Sequence, residues 1–385
     1  MRALIHVQHL LGIGHLQRIA LIARALAETG AEVVVLSGGL PWAGLDLGGA
    51  RLVQLPPLRA ADASFGTLLD QAGNPLDDAL RAARRRLVLG TLADWRPQLV
   101  LIETWPFGRR ALRFELEPLV AAARALRPRP VLAVSIRDII AAKPDAARRQ
   151  AIVETLRAAF DLVLVHSDPR FIRLEASFPE APALAPMLRY TGFVAALSSV
   201  ENAQPTGEII VSAGGGAAGA ALLQAAKAAR RLSRFAAAPW RLIAGRNLPE
   251  AEFAALAEDL PPGMALDRHR ADFPALLAGA RVSVSQAGYN TALDLLQAGA
   301  AAVLVPFAEH GETEQSVRAA RMQALGLATL VPEAALTPAR LAAAIDAAQP
   351  PPSVAFDLGG ARRSAELLLQ AGRNFDQARA ASGPP

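Results

Sequence analysis

An α/β fold built on parallel sheets is what the sequence predicts, and three observations carry that prediction. Short, continuously apolar runs recur along the chain. They alternate with Ala/Leu/Arg-rich stretches of helical spacing, and glycine clusters stand where a run gives way to a helix. Runs apolar at every residue suit strands covered on both faces, and strand–helix alternation is how a parallel sheet gets its cover.

Taken in order, the first half offers strands at 3–7 (ALIHV), 32–37 (EVVVLS), 98–103 (QLVLIE), 131–136 (VLAVSI) and 161–167 (DLVLVHS). The second half offers them at 208–213 (EIIVSA), 240–245 (WRLIAG), 281–285 (RVSVS) and 301–307 (AAVLVPF). Between them lie amphipathic helices such as the one whose Leu16, Ile19, Ala23 and Leu26 share a face. A polar, unpatterned stretch with Pro205 interrupts the series at 195–208, after which the strand–glycine–helix order restarts. The economical division is therefore two Rossmann-like halves, 1–197 and 208–375, joined by a linker at 198–207 and followed by a flexible tail at 376–385. In such a pair a ligand is expected in the cleft between the halves.

Composition narrows the function. The chain has 385 residues, enough for two ordinary domains, and 52% of them are hydrophobic, so long disorder is not expected. Cysteine is absent, which removes disulfides, thiolate catalysis and cysteine-based metal sites. Of 40 basic residues only Lys143 and Lys227 are lysine, and the net charge is +5. That balance favours anionic partners in general. Nucleic acid is not expected, since there are only two tyrosines and no basic–aromatic module. The opening MRALIHVQHL starts a strand at once, so no cleavable leader is expected. No apolar stretch approaches the roughly 20 residues that span a bilayer. A cytoplasmic protein follows, with peripheral contact at the inner face of the membrane as a further expectation.

Two glycine corners and one dense stretch carry the chemistry. In GIGHLQR, Gly12 and Gly14 permit a tight turn and close approach of a ligand, and His15 falls at a helix N-terminus. The positive end of the helix dipole disfavours imidazolium, leaving a ring that can accept a proton. The alternative is a plain turn with His15 as its cap. His6, inside a strand, reads as a core or network histidine, and His9 stays open. In the second half, Gly214, Gly215 and Gly216 precede an Ala-rich helix and present bare amides to an anion such as a diphosphate, unless they too form only a turn. From 281 to 328, a strand, the Gly288 turn and a helix bring Thr291 and Asp294 onto one face at i and i+3. Thr291 suits a phosphate and Asp294 the two hydroxyls of a ribose. Glu314 and Gln315, opening the next helix, suit sugar hydroxyls, although an acid in a first helical turn is favourable without any ligand.

The 281–328 stretch resembles the C-terminal donor-binding domain of glycosyltransferase family 28, through Gly288, Thr291, Asp294, Gly299, Pro306 and Gln315. The likeness continues upstream through GGGAAGA and GIGH, and IETWPFGRRALRFEL, IRDII and VHSDPRF look like a less-studied branch of bacterial glycosyltransferases. This resemblance implies a glycosyltransferase-B fold, two Rossmann-like domains with parallel sheets facing across a cleft. It implies a UDP-linked donor carrying a hexose or N-acetylhexosamine, inverting transfer, and neither metal nor other cofactor. The acceptor, lipid-linked or a small molecule, stays unidentified. His15 and Glu103 would then be catalytic, Glu103 orienting the histidine or binding the acceptor, unless it merely pairs with Arg109 or Arg110. The donor set would comprise Gly12, Gly14, Gly214, Gly215, Gly216, Arg246, His269, Gly288, Asn290, Thr291, Asp294, Glu314 and Gln315.

Three departures from the family pattern stand out. Asp294 replaces the usual Glu, Gly216 a serine, and Arg318 an Asn. The arginine run RAARRR at 81–86 reads as a solvated face or as a dock for an anionic lipid. Two other functions remain. GIGHLQR also resembles the corner of nucleotide-sugar hydrolases, where His15 would activate water, and a non-catalytic nucleotide-sugar-binding subunit would use the same donor set. A nicotinamide dehydrogenase is disfavoured, because neither glycine corner completes GxGxxG with an acid about 20 residues on.

Overall fold

The computed structural model describes residues 1–61, 66–140, 145–196, 204–214, 219–308 and 313–381, with side chains described as far as 374. The chain divides into two compact units, Met1–Ala196 with Phe356–Pro385, and Leu197–Ala355.

In chain order the first unit runs β1 (Arg2–Val7), α1 (Gly14–Glu28), β2 (Glu32–Ser37), β3 (Arg51–Gln54), β4 (Arg59–Ala60), β5 (Leu68–Leu69) and α2 (Asp78–Trp95). It continues with β6 (Leu99–Glu103), α3 (Arg113–Ala125), β7 (Val131–Arg137), α4 (Ala146–Ala159), β8 (Leu162–His166) and β9 (Leu188–Tyr190). Seven of these strands form one parallel sheet in the order β3-β2-β1-β6-β7-β8-β9, while β4 and β5 make a small antiparallel pair. The interior strands are buried along almost their whole length, because helices cover both faces. Leu16, Ile19, Ala23 and Leu26 of α1 lie fully in that core.

The second unit repeats the plan with β10 (Ile209–Ser212), α5 (Ala220–Ala229), β11 (Trp240–Ile243), α6 (Glu250–Ala257), β12 (Met264–Asp267) and α7 (Phe273–Gly279). After these come β13 (Val282–Ser285), α8 (Tyr289–Ala298), β14 (Ala302–Leu304), α9 (Glu314–Ala324), β15 (Thr329–Leu330) and α10 (Pro338–Ala347). Its six-stranded parallel sheet has the order β12-β11-β10-β13-β14-β15.

One boundary differs from the sequence reading. The last helix, α11 (Gly360–Ala381), belongs to the first unit and not to the second, and residues 376–381 continue it instead of fraying. Packing explains the return. Ala365, Leu367 and Leu368 enter the core that holds Leu16, Ile19 and Ile22 of α1. Phe356 stacks edge-on with Phe171 at 5.6 Å between centroids, and Phe193 N donates to Asp357 O over 2.7 Å. Gly360 lies so close to this seam that a Cβ there would meet Phe193 O at 2.6 Å. An apolar helix face is buried wherever a complementary face exists, whatever the chain order.

Both sheets reverse their winding once. In the first unit the chain builds outward from β1 to β3, then from β6 to β9 on the other side, so the switch lies between β1 and β6. In the second it lies between β10 and β13. The carboxyl ends of the strands flanking such a switch open a crevice, which is where open α/β sheets bind ligands.

Candidate functional site

The switch of the first sheet brings His15 and Glu103 together. Glu103 is the last residue of β6, and His15 lies in the first turn of the helix that follows β1. Across the crevice His15 Nδ1 meets Glu103 Oε1 at 2.6 Å. Arg18, one turn further along α1, donates to the same oxygen over 2.5 Å, as does the Thr104 hydroxyl. Arg18 Nη2 also lies 3.3 Å from His15 Nδ1. With the carboxylate ionised, the proton on Nδ1 points to Glu103 and leaves Nε2 free of a proton.

Electrostatics hold that arrangement. Burial works to raise the Glu103 carboxyl, but His15, Arg18 and Arg109 overcome it and keep the group well below the ordinary range. Burial also pushes His15 down, to about 3, against the pull of Glu103, and Arg109 and Arg18 add smaller contributions in the same direction. The ring is therefore neutral at neutral pH. Its side chain keeps 19% of its surface exposed while Glu103 has none, so the base is reachable and its orienting acid is not. Thr104, beside Glu103, and Arg109 both take left-handed backbone, with φ of 66° and 58°. Such strain in non-glycine residues collects at functional sites.

Several expectations change here. His15 does not cap its helix: Ile13 occupies the cap position and no side chain caps it. Glu103 pairs with Arg18, not with Arg109 or Arg110. Neither Gly12 nor Gly14 adopts positive φ, and a Cβ at Gly12 would meet nothing within 4 Å, so the turn itself does not demand glycine there. His6 is a network residue, 3.2 Å from a Glu115 that is also bound by Arg84. His9 donates from Nε2 to Leu40 O over 3.0 Å. Arg84 comes from the middle of RAARRR, so that run is only partly a solvated face: Arg84 is fully buried, while Arg85 and Arg86 are exposed.

The second unit gathers its candidates at the matching end of its sheet. Gly214 follows β10 with φ of 70°, and a Cβ on it would stand 3.7 Å from Gln286 Oε1, just past β13. Gly215 and Gly216 lie outside the described residues. Gly219 packs the helix start against the strand end, since a Cβ there would overlap Ala213 Cβ at 2.2 Å. Gly288 caps α8 without a side-chain hydrogen bond, and Asn290 and Thr291 lie in the helix's first turn. Arg246 and His269 are exposed on the loops after β11 and β12, and Arg246 helps burial to lower the histidine.

Asp294 sits in the second turn of α8, partly buried and with no hydrogen-bond or ion-pair partner among the described residues. Burial alone raises its carboxyl to about 7. Glu314 and Gln315 are employed differently from the expectation. Glu314 is buried and accepts from Arg318 over 2.6 Å. Arg318 also donates to Ala287 O over 2.8 Å. Gln315 Oε1 accepts from Ala287 N at 3.0 Å and Phe307 N at 3.2 Å. Together they fasten the loops after β13 and β14, which accounts for Arg318 as the partner of a buried acid. Thr104 escaped the sequence reading, and Arg18 entered it only as the arginine of the GIGHLQR corner, with no role assigned.

Known proteins resemble part of the sequence and the fold of the whole chain. Residues 215–367 match the glycosyltransferase family 28 C-terminal domain. Over 96 residues the chain is 35% identical to a UDP-N-acetylglucosamine–N-acetylmuramyl-(pentapeptide) pyrophosphoryl-undecaprenol N-acetylglucosamine transferase of Methylobacterium radiotolerans, covering 25% of this chain and 26% of that protein. The aligned segment thus spans about a quarter of the relative's length. Among solved structures, the calicheamicin glycosyltransferase CalG4 aligns over 99% of this chain and 98% of its own, with TM-score 0.59 and 18% identity. MurG of Acinetobacter baumannii aligns over 97% and 95%, with TM-score 0.56 and 16% identity. Residues 215–367 thus carry the family 28 C-terminal domain, and the chain shares the glycosyltransferase-B fold of these neighbours along its whole length.

Proposed function

We propose that the protein transfers a hexose or N-acetylhexosamine from a UDP-linked donor to a hydroxyl acceptor, with inversion and without a metal. The observation that carries this reading is the His15–Glu103 contact of 2.6 Å at the switch of the first sheet, with the ring held neutral. Glu103 fixes the tautomer and would stabilise the imidazolium as it forms. His15 Nε2 takes the proton of the acceptor hydroxyl while that oxygen attacks the anomeric carbon and the nucleoside diphosphate leaves. In the second unit the Gly214 loop and the amides opening α8 receive the diphosphate, and Asp294 accepts from the ribose hydroxyls. The relatives matched over about a quarter of the chain carry UDP-N-acetylglucosamine in their names, which supports the donor class.

The test is product analysis with a panel of nucleotide sugars, with and without candidate acceptors, under chelation. Release of nucleotide only when an acceptor is present supports transfer. Equal release without one would make the protein a hydrolase, and dependence on added Mg²⁺ or Mn²⁺ would remove the metal-free mechanism.

A further inference from the structure

Arg109 is a cation with no partner of its own. It makes no hydrogen bond and no ion pair among the described residues, and its Nε is buried and unsatisfied. Its backbone takes φ of 58°, a left-handed conformation that costs a side-chain-bearing residue stability. Burial weakens its hold on the proton, and Arg137 and Arg18 press in the same direction against the pull of Glu103. Arg18 and Arg109 both act on the Glu103 carboxylate, and His15 and Arg18 bond to its Oε1, while its Oε2 makes no hydrogen bond to Arg109 or to any other described residue. A strained, half-buried arginine whose Nε has no acceptor is costly to keep in a fold, and its partly exposed guanidinium can be reached by a partner from outside the folded chain.

Position says where that partner lies. Arg109 follows β6 in the loop before α3, and Arg137 ends the neighbouring β7, whose Ser135 is in register with Glu103. Arg109 therefore stands at the carboxyl end of the same sheet as His15, close enough to lower the histidine. We infer that Arg109 binds an oxyanion of the acceptor, and that the acceptor carries a phosphate or carboxylate close to the hydroxyl His15 deprotonates. The planar guanidinium fork matches either group through two parallel hydrogen bonds. This assignment rests on the transferase reading and specifies the substrate class that the reading leaves open.

The experiment follows the histidine Cε1–H signals of the full-length protein by NMR, with His15 identified by its loss in His15→Gln. Inorganic phosphate and acetate are titrated separately into wild type and Arg109→Gln. The expected result is a saturable shift of the His15 signal in wild type, weakened about tenfold or more in the variant. A stronger response to phosphate identifies a phosphorylated acceptor, and an equal or stronger response to acetate an acidic one. Removing an unpaired cation should leave Tm unchanged or higher, and the signal of buried His166 reports that the fold is intact. Three results would overturn the inference: no His15 response in wild type, an equal response in Arg109→Gln, or a matching loss of UDP affinity in the variant. The last would place Arg109 on the donor's diphosphate. Each is separate from failure of the transferase reading, which is decided by turnover.

Discussion

Glu103 in the first unit and Asp294 in the second both stand at the switch-point end of a parallel sheet, yet they are kept in opposite conditions. Glu103 is fully buried and takes hydrogen bonds from His15, Arg18 and Thr104 on one oxygen. Asp294 is partly buried and has no partner among the described residues. The first carboxylate is held ionised by its neighbours, and the second is pushed up to about 7 by burial alone. The contrast separates two uses of an acid. One belongs to a preassembled network whose task is to orient another residue, with three donors in place on one of its oxygens. The other waits for donors that only a ligand brings.

Removing the preassembled acid should produce the largest effect. Glu103→Ala leaves the Arg18 guanidinium, only 2% exposed, without its counter-charge. Breaking a buried pair in this way typically costs about 3–5 kcal/mol. Urea unfolding should report a loss of that size, and a loss below about 1 kcal/mol would show that the network is not the support described. His15→Ala removes the base and leaves the Glu103–Arg18 pair, so stability should change little while kcat falls about 10²–10⁴-fold at unchanged donor affinity. A folded His15→Ala protein with wild-type kcat would reduce the corner to a structural turn. The waiting acid should give the reverse pattern. Asp294→Ala is expected to weaken UDP binding by about 1.5–3 kcal/mol, with the first unit's network undisturbed. Unchanged calorimetric titration with UDP would take Asp294 out of the ribose role.

The same contrast explains what could be read in advance. Every strand anticipated from a continuous apolar run is interior to a sheet or flanks a switch. The four main-sheet strands that were not anticipated, β3, β9, β12 and β15, are the four sheet edges. An edge strand has one neighbour and is partly exposed, so residues such as Arg51, Gln54, Arg189 and Asp267 interrupt the apolar signal. His15 was legible because a titratable ring at a glycine corner is conspicuous, and Asp294 because it keeps a fixed spacing from Gly288 and Thr291. Arg18, Arg84 and Arg318 were not. In a chain where 38 of 40 basic residues are arginine, nothing in one dimension marks which ones turn inward to meet an acid from another element.

The smallest expected effect is also the one that separates the two acids by their pH dependence. Because burial raises Asp294 to about 7, its charge opposes folding. Well below pH 4, the unfolded carboxyl's own midpoint, both states are protonated and the group has no effect. As pH rises toward 7 the unfolded chain ionises first, and stability is lost across that window; above it the loss is complete. Asp294→Asn should therefore raise stability by about 1–3 kcal/mol at pH 8, after allowance for solvent screening, and by about 0.5 kcal/mol or less at pH 4, where the unfolded carboxyl is only half ionised. Donor binding should run the other way in wild type, weakening as pH falls below about 7 and the ribose acceptor is protonated, and Asp294→Asn should flatten that limb. Glu103 predicts no such window near neutrality, since its neighbours hold it ionised well below that range. Thermal melts of Asp294→Asn at the two pH values decide the matter: an equal shift at both would mean that the carboxylate, like Glu103, already has its charge satisfied in the folded chain.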